Sequence, residues 1–396
     1  MTSTSTSSTL ADARALSDVA RRMADAAAAR SSELTAQGAR IDDHQVMCER
    51  LALLATDARA AAALADYAER LSAEGRPDAL AEDEALTFAS DVINRMHYAH
   101  AIHPDDFAEV ETAGARELPL IQRGLDDAHV RSIGKRVIDA FGVNNVELFD
   151  DGAVQTRQFA RQFAKQELLR DDGGEAIADK VHRHDLLVPE SWIKQFSELG
   201  FFGSSVPEGF GGTEMGYLTM IVLTEELSAG SLIAGSLLTR SEILTRALLE
   251  GGTEEQQRTW LPKLASGEVL VGISVTEPDV GSDVASVQCK ATPGERGGER
   301  GWLINGAKAW CTFAGRANVL ALLARTDPDP SKGNRGLSLF IVPKDTFDGH
   351  KFEMRQSFGG VMTGEAIPTP GYRGMHSYVL NLEDYFVPAA NLVGGE

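Results

Sequence analysis

The residues best suited to chemistry gather in two stretches, VGISVTEPDVGSDVASVQCK at 271–290 and GWLINGAKAWCTFAGRANVLALLAR at 301–325. The first opens as an apolar run and breaks into TEPDVGSD, where Pro278 and Gly281 punctuate a turn lined with hydroxyls and carboxylates. That pattern predicts a strand ending in a polar loop. The second reads as two strand-like runs joined through Asn305-Gly306, with Trp310 and Thr312 where the later run begins. Two β-edges that carry an indole, two threonines and exposed backbone donors can hold a flat ligand with a polar rim.

Other candidates are weaker. His97, His100 and His103 in HYAHAIH lie three apart on one helical side and have metal-ligand types. No nearby carboxylate or cysteine completes a set and Pro104 ends the helix, so half-buried histidines at a helix end are the expectation and no metal site is expected. The glycine-rich FFGSSVPEGFGGTEMG at 201–216 lacks the Gly-Lys-Ser/Thr ending of a phosphate loop and the G-x-G-x-x-G spacing, which makes it a shaped loop.

The elements that must position these groups fall into blocks. Residues 1–9 read as a disordered tail and residues 10–150 as an all-helical N-terminal extension, with breaks at Gly38, at Gly75 to Pro77, at His103-Pro104 and at Leu118-Pro119. FDDGAVQ at 149–155 reads as a linker. A second helical domain follows over 151–268, with helices expected at about 156–169, 192–199, 217–228 and 232–249. A capped helix opens at Thr253, with Gln256 three residues on and Pro262 interrupting it before Gly267. From 269 to 390 the character changes to strands, VGISV, GWLING, NVLALLA, LSLFIVP and SYVLNLEDYFVP, separated by Gly, Pro, Asp and Asn turns. The fold class is α+β: helical domains followed by an antiparallel β-domain.

Composition narrows the function classes. The 58 acidic against 38 basic residues give a formal charge of −20, which argues against a nucleic-acid surface. Three separated cysteines without a C-x-x-C fit a reducing compartment, with neither a disulfide framework nor a zinc site. The first residues lack a secretory pattern and no apolar run reaches a membrane span, so a cytoplasmic protein with no membrane partner is expected.

GISVTEPDVGSD, GWLINGAKAWCTFAGRANV, LFIVPKD and YRGMHSYVLNLEDYFVPAANLVGGE together resemble the acyl-CoA dehydrogenase family. ELGFFGSSVPEGFGG and EEQQRTWLPKLASGE resemble that family's N-terminal helical domain, so the likeness runs over about 156–396. It implies a helical domain, a middle β-domain and a C-terminal helical bundle, with FAD between the β-domain and the helices. By position, Ile273, Ser274, Val275, Thr276, Gly281 and Ser282 would line the flavin, with Ser282 also near the acyl-CoA chain, and Trp310, Cys311 and Thr312 would form a second wall. A thiol at Cys311 departs from the family's usual aliphatic residue.

The resemblance also implies a reaction, α,β-desaturation of a CoA thioester. A glutamate takes the α-proton, the β-hydrogen leaves as hydride, and electrons pass to an electron-transfer flavoprotein. That glutamate belongs to the family's C-terminal domain, which residues 391–396 would only begin, so the catalytic base is expected beyond Glu396. Glu277 is read as structural within the flavin loop, and Glu225 and Glu226 as helix caps or solvated groups. The extension, GSLLTRSEILTRALLEGGTEEQ and SFGGVMTGEAIPTPGYRGMHSY, read as a loop, most resemble the branch that converts (2S)-methylsuccinyl-CoA to mesaconyl-CoA in the ethylmalonyl-CoA pathway. A free distal carboxylate in a dry pocket needs a cation, and Arg240 is the candidate, with Arg246 behind it. A dimer or tetramer is implied for the complete protein. Another short- or branched-chain acyl-CoA dehydrogenase, a flavin oxidase, or a truncated non-catalytic assembly module acting through the helical extension are the alternatives.

Overall fold

The computed structural model describes residues 8–106, 118–141 and 149–395. They form two compact units, Met1–Leu148 and Phe149–Glu396.

In the first unit, helices α1 (Thr9–Leu34), α2 (Gln45–Ala73) and α3 (Ala79–Ile102) are followed by α4 (Leu118–Gly124) and α5 (Asp127–Asp139). Leu16, Val19, Ala20 and Met23 of α1 meet Leu51, Leu54 and Ala58 of α2 and Leu86, Ala89 and Ile93 of α3 in one core. The alanines let these helices approach closely while favouring helix. Residues 1–7 of the expected tail lie outside the described residues. Ser8 is the N-cap of α1, accepting from the Ala11 amide at 3.2 Å, so Ser8 and Thr9 belong to the helix. Leu118-Pro119 opens α4 where a break was expected, since proline is well accommodated in a first helical turn.

The second unit begins where a linker was expected. The Asp150 carboxylate accepts from the Ala153 amide at 2.7 Å and caps α6 (Asp151–Phe163), so most of 149–155 is helix. Then come α7 (Ile177–Arg183), α8 (Glu190–Glu198), α9 (Gly216–Gly230), α10 (Leu232–Leu238), α11 (Glu242–Gly251) and α12 (Glu254–Ser266). The single helix expected over 232–249 is two. The Thr239 hydroxyl and the Arg240 guanidinium both bond the Ser236 carbonyl, and the Ser241 hydroxyl turns away to the Phe202 carbonyl, which breaks the ladder. The capping box of Thr253 and Gln256 is present, but Pro262 does not interrupt α12, which runs on to Ser266 before Gly267 turns left-handed. Buried Leu261 and Leu264 hold the helix through the missing donor.

Strands β1 (Val271–Ser274), β2 (Lys290–Arg296), β3 (Glu299–Thr312), β4 (Val319–Arg325), β5 (Leu337–Pro343), β6 (Lys351–Arg355), β7 (Val361–Ala366) and β8 (Ser377–Pro388) form one sheet ordered β1-β4-β2-β3-β8-β7-β6, with β5 on β4. The sheet is mixed, because β1 runs parallel to β4. Residues 361–366, expected within a loop, are strand β7: Val361 to Ala366 pair in register with β8. Asn305-Gly306 is not a hairpin turn. β3 passes straight through it with a register shift, and Gly306 takes φ +145 in a place where a Cβ would lie 2.8 Å from the Cys289 Cα. Leu392 bridges Phe340 and the Val393 amide donates to the Leu339 carbonyl at 3.0 Å, so the described residues past Pro388 lie against β5.

Candidate functional site

The polar loop after β1 and the far end of β3 are tied to each other at three points. The Ala309 amide donates to the Thr276 carbonyl at 2.9 Å, and Lys308 Nζ reaches the Val275 carbonyl at 2.9 Å and Glu277 Oε1 at 2.8 Å. The Lys308 side chain is fully buried and that of Glu277 is 7% exposed. Glu277 also accepts from the amides of Gln288 and Cys289, each at 2.8 Å. Desolvating two charges is offset only when further hydrogen bonds accompany the pair, and here the carboxylate takes three and the ammonium gives two. Glu277 holds a turn.

Just beyond Lys308 the pairing of β3 with β8 slips by a residue before resuming at Cys311. Trp310 lies in that irregularity at φ +57, with Phe313 at φ +70 close behind. A bulky residue in the left-handed region is a strained arrangement that the surroundings must enforce. Its consequence is plain: the indole is 57% exposed, while Ala309, Cys311 and Phe313 on either side are buried. A core role for Trp310 is thereby excluded. Thr312 is half-buried with its hydroxyl 2.9 Å from that of Ser377. On β1 and the loop that follows it Ile273, Val275 and Thr276 are half-buried and Gly281 and Ser282 exposed, but the Ser274 side chain is buried. Burial pushes the Cys311 thiol up to about 12, so it is a packing group and not a nucleophile.

Residues 151–268 match the acyl-CoA dehydrogenase N-terminal domain, and residues 272–385 match the acyl-CoA dehydrogenase middle domain. The chain belongs to the acyl-CoA dehydrogenase family. It is 33% identical over 368 residues to (2S)-methylsuccinyl-CoA dehydrogenase of Cereibacter sphaeroides, covering 90% of this chain and 64% of that one. The glutaryl-coenzyme A dehydrogenase glutaryl-CoA complex superposes with a TM-score of 0.52 at 28% identity, over 63% of this chain and 58% of that chain. The FAD complex of PigA superposes with a TM-score of 0.52 at 27% identity, over 64% of this chain and 60% of that chain. The chain therefore spans less than two thirds of the length of each of these relatives.

Acyl-CoA dehydrogenases bind FAD, and the residues here suit it. An exposed indole held on a strained bulge, beside a loop of backbone donors and hydroxyls, offers an apolar face and a polar edge. The remaining candidates separate. Arg240 sits in the turn between α10 and α11, half-buried, with Nε on the Ser236 carbonyl at 2.9 Å and no carboxylate within ion-pair distance among the described residues. Burial lowers its pKa from the usual guanidinium value. Arg246 is occupied otherwise, 3.0 Å from Glu242 and 4.9 Å above the Tyr217 ring. Glu226 is not a solvated helix residue. It is buried on α9 and takes a bidentate pair from Arg161 at 2.9 and 2.6 Å, with Arg157 Nε at 3.3 Å, which ties α9 to α6.

Reading the residues in order missed Lys308. The signal was present, a lone cation in an otherwise apolar strand half, but its partner is named only by the fold. It also missed Asp185, His350 and His376, whose possible ligand atoms lie within 4.8 Å of one another. His97, His100 and His103 form no such group among the described residues.

Proposed function

We propose that this protein performs FAD-dependent α,β-desaturation of a CoA thioester, with (2S)-methylsuccinyl-CoA as substrate and mesaconyl-CoA as product, and that its electrons go to an electron-transfer flavoprotein. A cytoplasmic homo-oligomer working in the ethylmalonyl-CoA pathway is the setting that fits this chemistry. The observation that carries the reading is Trp310, an exposed indole on a strained bulge locked to the Thr276 loop by the Lys308–Glu277 pair.

When bound, FAD supplies the acceptor for the hydride that leaves the β-carbon. The protein's own part is positioning. Trp310 would cover one face of the ring, Thr276 and Thr312 would offer hydroxyls and backbone groups to its polar edge, and Gly281 and Ser282 would leave room for the pyrophosphate and the acyl-CoA chain. Each such hydrogen bond is worth roughly 0.5–1.5 kcal/mol net. Glu277 is committed to Lys308 and two amides, so the α-proton acceptor is assigned to the family's C-terminal domain. Arg240 supports the dicarboxylic substrate, because a half-buried guanidinium with no carboxylate partner among the described residues can receive the distal one.

The test is flavin bleaching by a panel of CoA esters with the FAD-loaded protein. Fastest bleaching by methylsuccinyl-CoA is expected, and preference for a neutral branched ester would overturn the substrate. In Arg240→Ala, methylsuccinyl-CoA turnover should fall far more than that of the neutral ester, and equal losses on both would remove the carboxylate-binding role.

A further inference from the structure

We propose that Asp185, His350 and His376 form a binding site for a divalent transition-metal ion of the zinc, cobalt or nickel type, which pins the turn after α7 to the entry of β8. This goes beyond the desaturation chemistry and does not depend on it. The three residues are remote in sequence. Asp185 follows α7, His350 precedes β6 and His376 immediately precedes β8. His376 Nε2 lies 3.1 Å from Asp185 Oδ1, His350 Nε2 lies 3.9 Å from Asp185 Oδ2, and the imidazole centroids are 4.4 Å apart. Ligands held about 2.0–2.1 Å from a tetrahedral zinc are themselves about 3.4 Å apart, so His376 and Asp185 already have the spacing and His350 needs only a small rotation.

The donor set selects the metal. Two imidazoles and one carboxylate suit borderline cations, whereas magnesium and calcium prefer oxygen throughout. The site is also built and reachable. His376 is 4% exposed and anchored, while the side chains of His350 and Asp185 are 42% and 44% exposed and leave a path for the ion and for water ligands. Asp185 at φ +54 and His376 at φ +43 both hold the left-handed backbone conformation, so two of the three ligands are presented by strained positions. Among the described residues the competing cation is Arg373, whose Nε lies 3.6 Å from Asp185 Oδ1 and which also donates to the Thr369 carbonyl at 3.2 Å. Lys351, next to His350, is occupied by Glu365 at 2.6 Å.

The ion would act on the neighbouring wall mechanically. The Phe313 amide donates to the carbonyls of His376 at 2.8 Å and Met375 at 3.2 Å, and Ser377 meets Thr312 at 2.9 Å. Fixing His376 therefore fixes the segment that follows Trp310. Cys289 and Cys311 are buried and do not compete for metal.

The experiment titrates tag-free protein with cobalt chloride, read by the ligand-field absorption, and with zinc chloride, read by calorimetry and by thermal unfolding. One saturable site per chain is expected, with zinc raising the midpoint and displacing cobalt, and with magnesium unable to compete. His350→Ala, at a half-exposed position, should weaken binding by at least about tenfold and abolish the zinc-dependent rise in midpoint. His184→Ala, which removes a histidine paired with Glu175 at 3.1 Å, should leave both unchanged. Circular dichroism checks that the variants are folded, and Asp185→Asn provides a second ligand deletion with little change of volume. Absence of a saturable cobalt spectrum, or equal affinity in wild type, His350→Ala and Asp185→Asn, overturns the site and leaves Asp185 to Arg373.

Discussion

Lys308 Nζ and Glu277 Oε1 are 2.8 Å apart with both side chains buried, and through them the loop after β1 is joined to the strand that presents Trp310. Lys308→Met should cost about 3–5 kcal/mol, because it strands a buried carboxylate. Glu277→Gln combined with Lys308→Met should cost less than the two single changes added together. Urea titration of the three variants measures the coupling, and additive losses would show that the two groups act separately.

Trp310→Ala should separate binding from folding. An indole that is 57% exposed contributes little to the core, so stability should move by about 0.5 kcal/mol or less. FAD affinity should fall by roughly two- to tenfold if the indole covers the ring, an aromatic contact of about 0.5–1.5 kcal/mol. Fluorescence titration with FAD checks it. An unchanged affinity would take Trp310 out of the cofactor site.

Stability should climb with pH because of Lys344. Its ammonium is buried against the Gly315 and Ala317 carbonyls at 3.1 and 3.0 Å and beneath the Phe347 and Phe352 rings, and burial pushes it down to about 7 from 10.5. Between those two values the unfolded chain binds the proton and the folded chain does not. The contribution of this group to stability therefore rises from pH 7 towards 10.5 and is flat below 7. Urea midpoints at pH 7 and pH 9 should differ in this sense, and the part due to Lys344 should vanish in Lys344→Met.

Alkylation should find one cysteine. Burial holds Cys289 up to about 11 and Cys311 up to about 12, whereas Cys48 is only partly buried. Iodoacetamide at neutral pH on the native protein should label Cys48 and leave the other two until urea is added. Mass spectrometry counts the labels, and native modification of Cys311 would mean that the β3 wall opens.

Much of the architecture was legible because it depends on local signals. Alanine-rich helical periodicity marked α1 to α3, Thr253 with Gln256 marked the capped start of α12, and five short, largely apolar runs between turn residues marked strands. What failed were places where a side chain or a remote strand overrode the local pattern. Thr239, Arg240 and Ser241 drew carbonyls and backbone away from one continuous helix. Asn305-Gly306 has the sequence of a hairpin turn, yet β8 pairs on both sides of it and takes up the register shift with an extra residue of its own, between Leu382 and Tyr385. Pro262 was tolerated because buried leucines on its helix outweigh one lost hydrogen bond.

The sequence alone determined which family motifs are present and in what order, since hydroxyl, glycine and aromatic spacing survives as a linear pattern. Only the tertiary structure decided that Trp310 faces outward, that Glu277 is spent on Lys308, that Arg240 is half-buried with no carboxylate beside it among the described residues, and that Asp185 meets His376 across 191 residues. The physical reason is that exposure, pairing and metal-ligand geometry are set by which distant segments share a desolvated space. No local window of residues contains that information.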